Sequence, residues 1–253
     1  MAYLFLSSRT SNFTTQLNPP ILLDTNKKYE AALLSLHTYN SVPNITEKNN
    51  KFKYSSDRGK TWRTITIKKG TYELREINSY IQREMLKNGD YDQDEKRYYI
   101  NIDYYKPTFQ TLLEITSDDY MVDFDIENSL ASTLGFTNEK LAGSGVYSSS
   151  NIIDIESVNS ILVHCDIVLG AYLNSSRSNT FYSFTQEVSP GFKIIEKPSP
   201  ELIFFPVVGR PDIQNIHVWL TDQDNNPIDL MGERLTINML IREKGVDKKV
   251  VKK

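Results

Sequence analysis

A histidine and a cysteine stand side by side at His164 and Cys165. Together these residue types can supply a thiolate nucleophile with its base, or two ligands for zinc. The preceding run Ile161-Leu162-Val163 is typical of a buried strand. Successive side chains of a strand point to opposite faces, so the pair cannot act on one substrate or ion without a bulge. We therefore expect Cys165 to be a small buried core residue.

A loop near the C-terminus has oxygen-bearing side chains at the spacing of an EF-hand calcium loop: Asp222, Asp224, Asn226 and Glu233. The sixth position of such a loop needs glycine for a sharp turn, and here it is Pro227. The flanking segments also predict strands, whereas an EF-hand requires helices. The sequence therefore favours a β-turn at Asn225-Asn226-Pro227 that links two strands.

The acidic stretch around Asp123 and Asp125 could provide paired carboxylates for acid–base catalysis, because strand alternation places both on one face. Such a pair on a solvated strand is usually surface, and an enzyme on a β-sandwich that uses it stays open as an alternative. The chain contains no Walker motif, GxGxxG, GxSxG or HExxH sequence. We expect no enzymatic activity and no catalytic, cofactor-binding or metal-ligating residues.

Aromatic side chains are clustered in two parts of the sequence and could line a sugar-binding cleft: Tyr98, Tyr99, Tyr104, Tyr105, Tyr172, Phe181, Tyr182 and Phe184. Cores and subunit interfaces use the same residue types, because tyrosine buries a large area and still forms a hydrogen bond at its hydroxyl. Core or interface packing is one interpretation of these clusters. A carbohydrate-binding jelly-roll module is the alternative.

Composition favours a single globular domain of 253 residues. A single cysteine cannot form an intramolecular disulfide, and no run approaches the length of a membrane-spanning helix. The net charge of −3 carries no nucleic-acid signature. Basic residues do crowd the end of the chain, at Lys244, Lys248, Lys249, Lys252 and Lys253. We expect 244–253 to be a basic tail, either solvated or in weak contact with nucleic acid, and 1–12 to be a flexible N-terminal segment.

Periodicity predicts mostly strands. About a dozen segments are rich in β-branched and aromatic residues and are separated by turn sequences. One helix is predicted over Thr71–Lys87, where apolar residues recur three to four positions apart, and a second short helix after Asp125 that ends at Gly135. We expect residues 138–150 to form a surface loop and 151–156 a strand. This pattern favours an antiparallel sandwich or barrel over alternating β-α units.

Several sequence blocks resemble, in the same order, those of penton (vertex) proteins from Polinton/Maverick-type elements and adintoviruses, which are related to virophage penton proteins. The blocks include Leu17-Asn18-Pro19-Pro20-Ile21, Lys28-Tyr29-Glu30-Ala31-Ala32-Leu33, Gly70-Thr71-Tyr72-Glu73-Leu74, Leu134-Gly135-Phe136 and Val218-Trp219-Leu220-Thr221-Asp222. The similarity spans roughly residues 13 to 243. These blocks are packing and turn motifs, so their number and order make them specific.

The resemblance implies an all-β fold, a single jelly-roll β-sandwich of two antiparallel sheets with one or two short helices in loops, over the whole range 1–253. It implies a structural virion protein that is assembled inside the host cell. Its subunits would form homopentamers at the fivefold vertices of an icosahedral capsid, with a double-jelly-roll major capsid protein as partner and no membrane. A large inserted second domain is not expected.

Overall fold

The structure is a computed structural model that describes residues 1–156 and 158–245. The described residues are mostly β-strands with two helices, as the sequence predicts. They divide into two compact units, each with its own hydrophobic core. The split unit comprises Met1–Val42 and Val158–Lys253, and the middle unit comprises Pro43–Ser157. The middle segment buries an apolar cluster of its own. That the chain is one domain without a large insertion stays a prediction.

The split unit contains eleven described strands: β1 (Ala2–Ser8), β2 (Asn12–Leu22), β3 (Tyr29–Tyr39), β13 (Ile161–Cys165), β14 (Ala171–Leu173), β15 (Ser176–Ser178), β16 (Thr180–Phe184), β17 (Lys193–Glu196), β18 (Phe205–Pro206), β19 (Asp212–Thr221) and β20 (Leu235–Glu243). One sheet has the order β1-β20-β3-β17, with β18 also paired to β3. A second sheet has the order β16-β13-β19-β2, and β14 pairs with β15. Every pair in these sheets is antiparallel.

The core of the split unit follows from strand alternation. In β20 the side chains of Leu235, Ile237, Met239 and Ile241 are buried, whereas Thr236 and Asn238 are half-buried. Strands of both sheets contribute to this one apolar cluster, for example β19 with Ile216 and Val218. Two sheets therefore bury their inner faces against a common interior.

The N-terminal segment differs from the expectation that residues 1–12 are flexible. Strand β1 pairs with β20 along its whole length, from Ala2 opposite Ile241 to Ser8 opposite Leu235. Leu6 is buried in the core and Leu4 packs against it, so burial of alternate side chains fixes this strand. At the other terminus, the backbone N–H of Lys244 donates to the carbonyl of Lys28 at 2.8 Å. The rest of the predicted tail, 246–253, lies outside the described residues.

The middle unit contains nine strands and two helices: β4 (Lys51–Ser55), β5 (Arg63–Thr66), α1 (Leu74–Lys87), β6 (Tyr91–Asp92), β7 (Arg97–Tyr98), β8 (Ile100–Tyr105), β9 (Gln110–Ile115), β10 (Met121–Asp123), α2 (Ala131–Leu134), β11 (Lys140–Ala142) and β12 (Gly145–Ser148). The strands form sheets of order β11-β10-β4-β5, β12-β9-β8 and β6-β7. The described residues thus form six sheets in all, where two were predicted.

Helix α1 buries Ile77, Ile81 and Met85, the spacing that predicted it. It begins at Leu74 instead of Thr71, because Glu73 and Glu76 form a reciprocal capping box. Among the described residues, no helix has both the length and the apolar character needed to cross a membrane.

Three local expectations for the middle unit differ from the structure. The predicted loop over 138–150 contains strands β11 and β12, and the predicted strand over 151–156 has no strand pairing. Helix α2 has only four residues and begins after Leu130, so Asp125 does not cap it. Its predicted end is confirmed, since Gly135 has the left-handed φ of 77°.

Candidate functional site

His164 is buried on β13, and both of its ring nitrogens have hydroxyl partners. Nδ1 lies 3.0 Å from Oγ1 of Thr180, and Nε2 lies 2.8 Å from Oγ1 of Thr221. The ring also stacks on Trp219, with 5.1 Å between ring centroids. Burial lowers the pKa of His164 below the usual value for histidine. The strand pairing has a register shift between Val163 and His164, yet neither nitrogen is directed to a free position.

Cys165 is fully buried in the core of the split unit. Burial raises the pKa of its thiol to about 12, because a thiolate loses its hydration in an apolar interior. The thiol is therefore protonated near neutral pH. The side chain is part of the apolar core.

The acidic loop after β19 is stabilised by hydrogen bonds within the loop. The carboxylate of Asp222 accepts from the backbone N–H groups of Asp224 and Asn226, both at 2.8 Å, and from Nδ2 of Asn226 at 2.9 Å. The N–H of Asn225 donates to the carbonyl of Asp222, and Asn225 has a left-handed φ of 68°. The carboxylate of Asp222 therefore stabilises a turn. Among residues 1–156 and 158–245, no group of three or more His, Cys, Asp or Glu side chains is arranged to hold a metal ion.

Asp123 and Asp125 do not form a carboxylate pair. Asp125 is exposed, whereas the side chain of Asp123 is only 2% exposed and lies 2.7 Å from Nζ of Lys53 and 3.8 Å from Nζ of Lys140. Both ammonium groups also lie over the Trp62 ring, at 4.8 and 5.9 Å from its centroid. Asp123 faces Lys53 and Lys140 directly in the strand register, so it connects three strands electrostatically.

A second buried carboxylate, Asp90, was not identified from the sequence. It accepts from the hydroxyl of Tyr54 at 2.6 Å, from Nη1 of Arg63 at 2.7 Å and from the hydroxyl of Tyr120 at 3.3 Å. The side chain of Asn88 in turn donates to the Tyr54 hydroxyl at 2.9 Å. Burial, followed by the bond to Asp90, raises the pKa of Tyr54 to about 12. This cluster has charge, burial and aromatic neighbours, but its polar atoms are paired with one another.

The aromatic residues proposed for a sugar cleft are divided between the two units. Phe181 and Phe184 are buried in the core of the split unit. Tyr104 and Tyr105 lie at the exposed end of β8 in the middle unit.

The split unit exposes apolar side chains at both lateral edges of its two sheets. On one side, β1 and β2 are the terminal strands, and β1 carries Tyr3 and Phe5, the latter 76% exposed. On the other side, β17 and β16 are terminal, and Tyr182 on β16 donates to Glu196 on β17. We call Tyr3 and Phe5 the β1 edge. Phe192, which is 65% exposed, and Ile195 form the β17 edge.

No family model matches the chain, and no curated protein matches its sequence. Among solved structures, the chain is similar to the mavirus penton protein, with 11% identity and a TM-score of 0.49 over 96% of this chain and 100% of that one. It is also similar to the D2-D3 domains of the flagellar cap protein FliD from Escherichia coli, with 12% identity and a TM-score of 0.16 over 95% and 99% of the two chains. At these identities and scores, neither likeness decides the function.

Proposed function

We propose that the chain is a structural capsid subunit whose split unit is a single jelly roll and which forms homopentamers at the vertices of an icosahedral particle. The observation that carries the fold is strand order. When the eight principal strands of the split unit are counted one to eight along the chain, its sheets have the orders 1-8-3-6 and 2-7-4-5. This is the arrangement of two Greek keys folded into a jelly roll. The middle unit is then an insertion between the third and fourth strands.

Jelly rolls occur in both viral capsid proteins and lectins, so the fold alone does not choose the function. The resemblance to penton proteins supports the capsid interpretation, because its blocks keep their order along nearly the whole chain. They also lie at structurally defined places. Lys28-Tyr29-Glu30-Ala31-Ala32-Leu33 leads into β3, and Leu134-Gly135-Phe136 spans the left-handed end of α2.

Ring assembly is supported by the two lateral edges. A closed ring needs head-to-tail contacts, in which two different surfaces of one subunit meet those of its neighbours. The β1 edge and the β17 edge are on opposite sides of the same pair of sheets, and each exposes two large apolar side chains. Contact of one edge with the other would remove these side chains from water and leave no open edge in the ring. The double-jelly-roll major capsid protein is the further partner that the resemblance implies.

Mass measurement of the full chain tests this proposal. Native mass spectrometry and light scattering over a range of concentrations should show a species of five subunits. Phe5→Glu and Phe192→Glu should each reduce that species at least tenfold, because a charge would be buried in the contact. Leu86→Glu, on the exposed face of α1, is the matched control and should assemble normally. A chain that stays monomeric both alone and with the major capsid protein, or variants that assemble like the control, would overturn the proposal.

A further inference from the structure

The middle unit has an open groove of about 730 Å³ beside β8 and the first turn of α1. Its volume lies within the range of small-molecule binding sites, roughly 300–1,000 Å³. The groove does not depend on the lateral edges of the split unit, since all of its lining residues lie between Glu73 and Glu156. Its lining contains both polar and apolar side chains, which restricts the chemistry of a ligand.

The polar side of the groove covers the free edge of strand β8. Nδ2 of Asn78 donates to Oδ1 of Asn101 at 3.0 Å, and Oδ1 of Asn78 accepts from the backbone N–H of Ile102 at 3.0 Å. Gln82 also donates to the carbonyl of Ile100, at 3.3 Å. These bonds occupy the backbone groups to which an added peptide strand would pair, so β-augmentation is disfavoured here. Asn101 also lines the groove, and the amide of its side chain is a group that can donate to a ligand.

The apolar side of the groove is an exposed aromatic rim formed by Tyr104 and Phe109. Phe109 is 58% exposed and has a left-handed φ of 55°, a conformation that is uncommon for a bulky residue. Its carbonyl accepts from the N–H of Ile153 at 2.8 Å, which holds the backbone in place. Residues in such sparsely populated backbone conformations cluster at functional sites.

The charge of the groove excludes anionic ligands. Three carboxylates line it, from Glu73, Asp103 and Glu156, against one guanidinium, from Arg75, which is paired with Glu73 at 2.9 Å. A phosphate or sulfate would be repelled by this surplus of negative charge. A neutral sugar fits better, since its C–H faces can stack on aromatic rings while its hydroxyls bond to carboxylate and amide groups.

We infer that this groove binds a neutral oligosaccharide. Tyr104 and Phe109 form the stacking surface, and the side chains of Asp103 and Asn101 accept from and donate to sugar hydroxyls. The inference does not rest on the proposed capsid assembly, since it uses only residues of the middle unit. A chain that forms rings but binds no glycan would contradict this inference alone. A chain that binds glycans but forms no rings would contradict the proposed function alone.

A printed array of neutral hexose and N-acetylhexosamine oligosaccharides, with sialylated and sulfated ones and a lysine-rich peptide, tests the inference on the full chain. The strongest neutral compound is then titrated by calorimetry. Phe109→Ala and Asp103→Asn should each weaken its binding at least tenfold. Tyr105→Ala is the matched control, because Tyr105 is exposed on the same hairpin but does not line the groove, and it should bind as the unaltered chain does.

Folding of each variant is checked by circular dichroism and by its denaturation midpoint, so that loss of binding is not mistaken for unfolding. Asp103→Asn preserves the size of the side chain, so it still tests the inference if Phe109→Ala is unfolded. Three results would overturn the inference: no neutral oligosaccharide bound at millimolar concentration, preference for the anionic compounds or the peptide, or equal loss of binding in the Tyr105 control. Ring formation by the same variants, measured separately, should be unchanged.

Discussion

The split unit and the middle unit treat buried polar groups differently. In the split unit, His164 is held between the hydroxyls of Thr180 and Thr221, and burial lowers its pKa. In the middle unit, the Asp90 carboxylate is paired with Arg63 and receives the hydroxyls of two tyrosines. Removing one member of a buried ionic cluster leaves the other members without partners, which costs more free energy than the loss of a hydroxyl–imidazole hydrogen bond. The middle unit should therefore be the more sensitive to single polar substitutions.

Each unit also contains one tryptophan, so the comparison can be measured directly. Trp62 lies in the middle unit and Trp219 in the split unit, and the chain has no others. Trp219→Phe leaves Trp62 as the fluorescence probe of the middle unit. Trp62→Phe leaves Trp219 as the probe of the split unit.

The largest effect is expected for Asp90→Ala. The substitution leaves the Arg63 guanidinium and the Tyr54 hydroxyl without their buried acceptor, so we expect the middle unit to lose about 3 kcal/mol of unfolding free energy. Urea denaturation followed by Trp62 fluorescence measures the loss. Asp94→Ala, at an exposed turn residue, is the control and should cost less than about 0.5 kcal/mol. Equal costs at the two positions would mean that the cluster does not hold the unit together.

A second test compares two glycines of the middle unit that share a left-handed φ, Gly135 at 77° and Gly89 at 82°. A Cβ at Gly135 would collide with the carbonyl oxygen of Asn151 and lie 2.8 Å from that of Ile152, whereas one at Gly89 would meet nothing within 4 Å. Gly89→Ala should cost about 1 kcal/mol from backbone strain alone. Gly135→Ala should cost roughly 2 kcal/mol more, because the backbone of 151–152 must also move. Similar denaturation midpoints for the two variants would contradict the close packing after α2.

The smallest effects concern pH, and the two units should respond in opposite directions. Because the folded-state pKa of His164 is lowered, the unfolded chain takes up a proton that the folded chain does not as pH falls below about 6.5. The unfolding free energy of the split unit therefore decreases on acidification, by at most about 1.4 kcal/mol per pH unit. Denaturation midpoints followed by Trp219 fluorescence, at pH values above and below about 6.5, should show this slope. His164→Gln should reduce this slope. An unchanged slope would show that His164 is not the group responsible for the acid sensitivity.

In the middle unit the corresponding loss occurs in alkali. Burial raises the pKa of Tyr54 to about 12 and also raises that of Tyr120. Above about pH 10 the tyrosines ionise in the unfolded chain before they do so in the folded one, so the unfolding free energy decreases as pH rises. Trp62 fluorescence follows this loss, and Tyr54→Phe should diminish the slope.

Sequence patterns predicted elements of the split unit unevenly. A strand was expected after the acidic loop and is present at Leu235–Glu243, because its long apolar alternation leaves one register that buries the core face. Strands β1 and β2 were missed. They are terminal strands of their sheets, with one neighbour each, and β2 contains Pro19 and Pro20, which are tolerated at sheet edges but obscure the pattern.

The buried polar contacts of the middle unit could not be predicted from the sequence, because they join residues from different strands. Strand alternation predicted a solvated Asp123, but neighbouring strands place Lys53 and Lys140 opposite it and bury the carboxylate. The Asp90 cluster likewise joins residues that are distant along the chain. In the groove, Tyr104 was among the predicted aromatics and Phe109 was not, because a left-handed backbone at a phenylalanine has no sequence signal.

Cys165, the single thiol of the chain, is sealed in the core of the split unit and held in its unreactive protonated form. A maleimide reagent can modify it only in molecules in which the core of the split unit has opened to solvent. The labelling rate therefore measures how often the core of the split unit opens to solvent. It also offers a way to ask whether the proposed ring assembly slows this opening.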